Sequence, residues 1–382
     1  MKFDRLRDFL DFYLPMLGVP GSDTSIYIDH QEVFRHTCGF NSMKNRIPLK
    51  SDNVYNIYSC TKVSTVISAL QLVERGEILL TDPVHIYFPE YKNLTVQRIA
   101  ADGSVYIEKA RKPMLIKHLI TMTSGLDYNL NRPAINELIA QKGNACTTRE
   151  IIKAIASDPL IFEPGEGYCY GLSHDVLGGI VELVSGLTLG EYMRKHIFEP
   201  LGMKDTTFNI TNLNYGRIAS QYDYDSIGRC AMEIPRDQNP FRFSLNYESG
   251  GAGLLSTVDD YVLIADALAN DGVGKSGQRI LSSAGVKLMS MPTLEGKAAD
   301  DYNLMRHEGF VYCNGVRRMA YPEKAGSLVS KELFGWDGMR MCMCFADPER
   351  KLAIFHAEHI NGFNGILIPR ILNVLYSCLD EE

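Results

Sequence analysis

The sequence predicts a mixed protein of the α/β (α+β) class, in which an antiparallel sheet is flanked by helices and a mostly helical region is inserted. Segments with strand character occur near both ends of the chain, at 24–38 and 339–357. The stretch that follows the first strands carries apolar residues at helical spacing, beginning at 60–75. This order predicts a discontinuous α/β region and an inserted helical region, with bounds 1–80 plus 245–382 and 81–244.

The N-terminal part of the chain predicts a helix followed by a hairpin and a second helix. Charged and apolar residues in Met1–Met16 follow an amphipathic helix pattern, without the uninterrupted apolar core of a signal peptide. Thr24–Asp29 and Val33–Cys38 predict the two strands of the hairpin. The helix that starts at Cys60 has a natural stop at Gly76.

The rest of the chain predicts a second hairpin, three helices, a third hairpin and a final helix. Leu94–Ile107 resembles a hairpin that turns at Asp102-Gly103. The three helices are expected at Ile116–Met122, Thr148–Ala156 and Val176–Val184. The third hairpin is expected at Met339–Ala346 and Leu352–Ala357, and the final helix begins near Ile366.

The composition indicates a large core and excludes some partners. A chain of 382 residues with 45% hydrophobic residues can bury a core of that size. The formal net charge of -7, with acids and bases mixed, leaves no basic stripe for nucleic acid. No apolar run reaches transmembrane length, so we expect a cytoplasmic protein without a membrane partner. The oligomeric state is left open.

Nine cysteines without paired spacing predict free thiols. Cys342 and Cys344 alternate with methionines, so both are expected on one face of a strand, in the core. His356 and His359 fall on or near a strand, which points two residues at this spacing to opposite faces and argues against a metal pair. We expect no metal site.

One local motif predicts nucleophilic catalysis. Ser59 is followed three positions later by Lys62, where a long apolar helical segment begins. Residues three apart share a helix face, so the ammonium group can reach the hydroxyl at the positive end of the helix dipole. Burial lowers a lysine pKa from about 10.4, and the neutral amine could accept the serine proton. The alternative is an ordinary helix cap beside a surface lysine.

Further segments, in order, resemble the serine β-lactamase and penicillin-binding protein superfamily, specifically its class C β-lactamase-like group. That group includes family VIII carboxylesterases, D-stereospecific peptidases and transacylases. Besides Ser59-Cys-Thr-Lys62, the matching segments are 116–126, Pro164-Gly165 leading into Tyr170, Leu177-Gly178, 250–257 and 335–338. The resemblance runs from about Ser25 to Ile360. It implies the β-lactamase-like fold, an active site in the cleft between the two regions, and catalysis without a cofactor.

The resemblance also implies roles for individual residues. Ser59 would be the acylated nucleophile and Lys62 its proton acceptor. Tyr170 matches the family tyrosine that passes the proton on, and nearby cations would have to lower its pKa from about 10. Trp336-Asp337-Gly338 falls where the family has Lys-Thr-Gly or a similar triplet. The backbone amides of Ser59 and Met339 would then form the oxyanion hole.

Two departures from the β-lactamase pattern bear on the substrate. Leu172 stands where lactamases carry an asparagine that contacts the substrate amide, and Trp336 stands where they carry a lysine. Asp337 adds a negative charge near the position of a β-lactam carboxylate. A site without that cation and amide favours a neutral or apolar acyl ester over an anionic amide. We therefore predict substrate contacts from Leu172 and from the Trp336–Gly338 segment.

The favoured function is a serine hydrolase that forms an acyl-enzyme on small carboxylic esters, a carboxylesterase or a transacylase. A β-lactamase, a D-stereospecific peptidase or a DD-peptidase is the nearest alternative, and a small ester or amide is the expected partner in either case. A catalytically inactive ligand-binding homologue is an alternative of another class. A Ser-His-Asp hydrolase is disfavoured, because no Gly-x-Ser-x-Gly segment occurs. Nothing local links His118, His174 or His356 to a serine. Arg340 is expected to form a surface salt bridge.

Overall fold

Both ends of the chain meet in one eight-stranded antiparallel sheet. The computed structural model describes residues 3–379 apart from 227, 229 and 306. The first two residues of the predicted helix Met1–Met16 and residues 380–382 of the predicted α/β region therefore lie outside the described residues. In spatial order the strands are Phe310–Tyr312, Arg317–Met319, Phe334–Gly338, Cys342–Asp347, Leu352–Ala357, Gly21–Ile28, Gln31–Ser42 and Ile47–Pro48. All neighbouring strands are antiparallel.

Helices cover both faces of this sheet, so its central strands are buried on both sides. Cys342 and Cys344 lie in the apolar cluster that also contains the helix Val258–Ala269, whereas Met343 lies in a second cluster with the helix Asn364–Leu379. Alternate side chains of a strand point to opposite faces, which accounts for this division. The prediction that the two cysteines share a buried face is confirmed.

The middle of the chain is mostly helical, and the predicted fold class is confirmed. The α-helices are Asp4–Asp8, Leu14–Met16, Thr61–Glu74, Ile116–Ile120, Pro133–Lys142, Thr148–Ile155, Ser173–Ser185, Leu189–Met193, Glu199–Leu201, Val258–Ala269, Ser283–Met289, Gly296–Asn303, Pro322–Ala325 and Asn364–Leu379. Phe9–Tyr13 and Arg194–Phe198 are π-helical turns, and Tyr58–Cys60 is one of several 3-10 turns. Within the described ranges, no single helix is long and apolar enough to cross a membrane; Ser173–Ser185 and Leu189–Leu201 reach that length and hydropathy only as a pair, bent by 75°.

In the part of the chain that the structure describes, three small two-stranded ladders lie outside the large sheet. Thr95–Ile99 pairs with Val105–Lys109, as the second predicted hairpin requires. Tyr55–Asn56 pairs with Leu255–Ser256 and so joins the chain just before Ser59 to a segment 200 residues later. Gln221–Asp225 pairs with Cys230–Ile234, a hairpin that the sequence did not indicate because its strands are polar. The division into two regions remains a prediction.

The predicted strand Met339–Ala346 is wrong at its N-terminal end. The strand begins at Cys342, and residues 339–341 form the turn that follows Phe334–Gly338. Arg340 and Met341 have φ of 64° and 56°, in the left-handed region. The turn is needed because Trp336 pairs with Cys344 across the two strands, so the chain must reverse between them.

The helix Thr61–Glu74 is buried along most of its length, and a tyrosine from another helix fixes its first turn. The Tyr261 hydroxyl donates to the Cys60 carbonyl at 2.7 Å and lies 2.9 Å from the Ser64 hydroxyl. Thr65 donates to the Gly250 carbonyl at 2.7 Å. These contacts set the position of the segment that carries Ser59 and Lys62.

We expect Tyr261→Phe to lower the free energy of unfolding by about 1 to 3 kcal/mol, because it leaves the buried Cys60 carbonyl without its side-chain donor. Urea denaturation followed by circular dichroism measures the change. Tyr215→Phe is the matched control, since Tyr215 is 55% exposed and should give a change within about 0.5 kcal/mol. Equal stability of Tyr261→Phe and the wild type would contradict this account of the helix start.

Candidate active site

Ser59 lies in the 3-10 turn immediately before the helix Thr61–Glu74. The preceding Tyr58 has φ of 44°, in the left-handed region that non-glycine residues adopt at a cost of about 1 to 3 kcal/mol. Its hydroxyl donates to Gln221, and its ring is fully buried. The side chain of Tyr58 therefore anchors the strained residue next to Ser59, whose own side chain is close to the surface at 8% exposure.

Lys62 Nζ lies 3.2 Å from Ser59 Oγ, as their spacing on one turn predicts. The amine also donates to the Tyr128 hydroxyl and to the Gly251 carbonyl, each at 2.7 Å. Lys62 has no exposed surface, and this desolvation lowers its pKa to about 7. At neutral pH a large fraction of this lysine is the neutral amine, which can accept a proton.

Tyr170 lies on the other side of the amine. Lys62 Nζ is 4.6 Å from the centroid of its ring, and Trp336 Nε1 donates to its hydroxyl at 2.9 Å. The Tyr170 and Trp336 rings stack with centroids 5.5 Å apart. Burial raises the pKa of Tyr170, and hydrogen bonds from Ser59 and Trp336 oppose the rise only in part. The structure thus differs from the expectation of a lowered pKa, because burial dominates, no fixed cation among the described residues contacts the phenol oxygen, and the neighbouring lysine is itself desolvated.

The strand Phe334–Gly338 runs directly beside the serine. A Cβ on Gly338 would lie 2.3 Å from the Ile57 carbonyl oxygen and 3.3 Å from the Ser59 nitrogen. Only a residue without a side chain permits this approach. Met339 follows at the start of the turn and is partly buried. The backbone of the predicted oxyanion-hole segment is therefore brought against Ser59.

Asp337 does not place an uncompensated charge in the cleft, as the sequence argument supposed. Arg317, which is 3% exposed, forms a salt bridge with one of its carboxylate oxygens. Asn364 donates to the other oxygen at 2.7 Å. Asp337 follows Trp336 on the strand, so its side chain points to the opposite face. The argument against an anionic substrate therefore depends on Trp336 and Leu172 and not on this carboxylate.

Leu172 lies at the start of the helix Ser173–Ser185 and is only 1% exposed. Its side chain belongs to the main apolar cluster, together with Trp336. An asparagine at this position would need partners for a buried amide, whereas leucine meets the packing requirement alone. A contact between Leu172 and substrate stays a prediction.

Three residues at the site were not found from the sequence: Tyr128, Asp175 and Gly251. Tyr128 lies three residues beyond Gly125, at the end of one of the matching segments, and its ring contacts Tyr170 at 5.4 Å between centroids. The only sequence signal for Tyr128 was its position just after the matching segment 116–126. Gly251 lies inside the matching segment 250–257, but the segment did not indicate which of its residues contacts Lys62. Asp175 gave no comparable signal, since it acts through contacts with distant parts of the chain.

The histidines do not provide a base for Ser59. His174 is fully buried and contacts the Ile120 carbonyl at 3.2 Å, and His118 accepts from the Leu115 amide. His356 lies between the Thr24 hydroxyl at 2.7 Å and Glu358 at 2.9 Å. This hydroxyl–imidazole–carboxylate series resembles a catalytic triad in its chemistry, but it has essentially no exposed surface.

Arg340 is buried, although the sequence suggested a surface salt bridge. It is 6% exposed and donates to the Tyr222 carbonyl at 2.6 Å and to Asp223 at 2.7 Å. These bonds tie the turn after Gly338 to the strand Gln221–Asp225. Arg340 thus has a structural role in the turn that follows Gly338.

The family model described as Beta-lactamase matches residues 6–365. This chain belongs to the Beta-lactamase family. The match covers most of the chain, including both strand-rich ends and the helical middle. It agrees with the ordered segments that carry the resemblance in the sequence, and it confirms the superfamily assignment.

Similar proteins include acyltransferases and a hydrolase. The monacolin J acid methylbutanoyltransferase of Aspergillus terreus is 30% identical over 67% of this chain and 61% of its own length. An uncharacterized protein of Mycobacterium tuberculosis (strain CDC 1551 / Oshkosh) is 31% identical over 66% of this chain and 62% of its own length. The chain thus spans less than two thirds of these relatives. The solved structure of EstCE1, a hydrolase with promiscuous acyltransferase activity, has a TM-score of 0.80 at 21% identity and covers 98% of both chains. At that identity it establishes the fold.

The lowered pKa of Lys62 predicts a specific dependence of stability on pH. The unfolded chain binds this proton up to pH about 10.4, whereas the folded chain releases it near pH 7. Between these values the unfolded state holds more protons, so stability increases with pH. Above pH 7, the free energy of unfolding of the wild type should therefore rise, relative to that of Lys62→Met, by about 1.4 kcal/mol per pH unit.

Urea denaturation of both proteins at several pH values between 6 and about 10 measures this difference. Lys44→Met is the control, because Lys44 is exposed and its removal should leave the stability profile parallel to that of the wild type. Parallel profiles for Lys62→Met and the wild type would show that Lys62 keeps an ordinary pKa.

Proposed function

We propose that this protein is a serine hydrolase that forms an acyl-enzyme on carboxylic esters and passes the acyl group to water or to a small alcohol. The observation that carries the proposal is the buried amine of Lys62, which lies 3.2 Å from Ser59 Oγ. A lysine that is half neutral near pH 7 is matched to general base catalysis at that pH. No cofactor is needed for this chemistry.

In the acylation step, Ser59 Oγ attacks the carbonyl carbon of the ester and its proton moves to Lys62 Nζ. The backbone amides of Ser59 and Met339 would donate to the oxygen that becomes negative. Removing one such donor costs roughly 3 to 4 kcal/mol of transition-state stabilisation in enzymes where it has been measured. The close approach of Gly338 to Ser59 supports this assignment, because it leaves no side chain between the two segments.

Collapse of the tetrahedral intermediate breaks the bond between the carbonyl carbon and the alcohol oxygen. The alcohol leaves with a proton that originates from Lys62, and we assign Tyr170 as the phenol that passes it on. Its raised pKa keeps the phenol protonated, and the bond from Trp336 Nε1 fixes its oxygen. Water or another alcohol then attacks the acyl carbon and passes a proton through Tyr170 to Lys62 Nζ. The bond between the acyl carbon and Ser59 Oγ breaks, and Oγ takes a proton back from Lys62.

The chemistry of the cleft supports an ester rather than a β-lactam as substrate. Trp336 and Leu172 are buried apolar residues at the positions where a lysine and an asparagine would bind an anionic amide, so these two positions provide neither the cation nor the amide. A relative named as a methylbutanoyltransferase and a structural neighbour described as a hydrolase with promiscuous acyltransferase activity also fit transfer of a small acyl group. The substrate class that we propose is therefore a short, uncharged acyl ester.

Ser59→Ala should reduce turnover of short-chain p-nitrophenyl esters by at least about 1000-fold, because no other group can form the acyl-enzyme. Initial rates measured beside a chromogenic cephalosporin test both the mechanism and the substrate class. Ser104→Ala is the control, since Ser104 lies in an exposed turn and should leave the rate unchanged. Ester turnover that survives in Ser59→Ala, or preferential cephalosporin cleavage by the wild type, would overturn the proposal.

The rate should also depend on pH through Lys62. Its neutral form is the base, so kcat/KM for an uncharged ester should fall as pH decreases through about 7. Tyr170→Phe should lower the rate while the acidic limb stays near pH 7, because that limb reports on the amine. A limb near pH 4 to 5 in the wild type would instead indicate a carboxylate base.

A further inference from the structure

Asp175 is a buried carboxylate that the proposed reaction does not use. It lies in the first turn of the helix Ser173–Ser185 and is 1% exposed. Oδ1 accepts from the Tyr247 hydroxyl and the Ser249 hydroxyl, each at 2.6 Å, and from the Gly251 amide at 3.3 Å. Within the described residues no arginine, lysine or histidine forms an ion pair with it. Its second oxygen is also buried, without a hydrogen-bond partner in that part of the chain.

Gly251 connects this carboxylate to the catalytic lysine. Its amide donates to Asp175, while its carbonyl accepts from Lys62 Nζ at 2.7 Å. A Cβ on Gly251 would lie 2.5 Å from Asp175 Oδ2 and 3.4 Å from the Tyr128 hydroxyl. Glycine is therefore required for the carboxylate to approach the group that holds the amine. One residue orients both charged side chains.

Charge strengthens this link. Burial lowers the pKa of Lys62, and the negative charge of Asp175 is the foremost effect that raises it again. Asp337 acts in the same direction less strongly, and it already pairs with Arg317. Burial raises the pKa of the Cys60 thiol, so this neighbour carries no charge near neutral pH. The other titratable groups that the described residues place around the amine are Tyr128 and Tyr170, which contact it, and His174, whose pKa is lowered by burial and further by the Lys62 charge.

We propose that Asp175 is a positioning residue that acts through Gly251 to orient Lys62 and that sets the pH range over which this base works. The inference rests on the proposed function of Lys62 as the base. The hydrogen bonds of Asp175 go to Tyr247, Ser249 and Gly251 and not to Ser59. Its negative charge favours the protonated amine, so it keeps the lysine from becoming too weak a base to take the serine proton.

An alternative role is purely structural, since Asp175 also holds Ser249 and Gly251 and lies at a helix N-terminus, where a carboxylate is favourable. The two roles differ in their effect on the pH profile. A structural carboxylate affects the rate or the stability, whereas a counter-charge moves the pH at which Lys62 is protonated.

The test is Asp175→Asn, which keeps the shape and removes the charge. We expect the acidic limb of kcat/KM for a p-nitrophenyl ester to move to lower pH by about 1 unit, because the amine loses the charge that favours its protonated form. Tyr247→Phe is the control, since it removes one hydrogen bond to Asp175 and retains the charge. The acidic limb of its kcat/KM profile should lie at the same pH as that of the wild type. A limb that does not move, or that moves to higher pH, in Asp175→Asn would overturn the proposal.

A second measurement separates this inference from the proposed function. The NMR titration of 13Cε-labelled lysine, with the Lys62 signal identified by its loss in Lys62→Met, measures the amine without any turnover. A lower Lys62 pKa in Asp175→Asn supports the inference even if esters prove not to be substrates, and an unchanged pKa contradicts it. If Asp175→Asn does not fold, Gly251→Ala displaces the carboxylate and should lower the Lys62 pKa in the same way; an unchanged value there also contradicts the inference.

Discussion

The site depends on one costly arrangement, a lysine amine held without water at hydrogen-bond distance from a serine. An ammonium group in such a place loses its hydration. Among the described residues, the close oxygen acceptors besides the serine are the Tyr128 hydroxyl and the Gly251 carbonyl. Neither acceptor is charged. The amine is consequently poised between its two protonation states near neutral pH, and the packing of the helix Thr61–Glu74 maintains this condition by excluding water.

Several distant elements of the fold surround this amine and the serine. The large sheet brings Gly338 against Ser59, and the helix Val258–Ala269 fixes the first turn of the serine helix through Tyr261. Tyr170 and Trp336 close the other side as a stacked pair. These contributions come from parts of the chain that are far apart in sequence, so the cleft exists only in the completely folded protein.

The parts of the site that could be predicted are local in sequence. Ser59 and Lys62 share one helical turn, so their spacing and the apolar helix around them determine the contact. Tyr170 and the segment at Trp336 required the family resemblance. Gly251 lies in a segment that matches the family, but its contact with Lys62 could not be predicted. Asp175 could not be found at all, because a carboxylate beside a distant glycine leaves no periodic pattern. The polar hairpin Gln221–Asp225 with Cys230–Ile234 and the turn at 339–341 were missed for a related reason, since tertiary contacts determine them and apolar periodicity does not.

Trp336 is the only tryptophan of the chain, and it is 3% exposed beside Tyr170 and 5.2 Å from the guanidinium carbon of Arg317. The protein therefore carries its single indole fluorophore at its proposed catalytic centre. Its emission is free of contributions from other indoles, and the adjacent phenol and guanidinium make it sensitive to local charge. Formation and breakdown of an acyl group on Ser59 would thus be followed optically in the unmodified protein, without a label or a coloured leaving group.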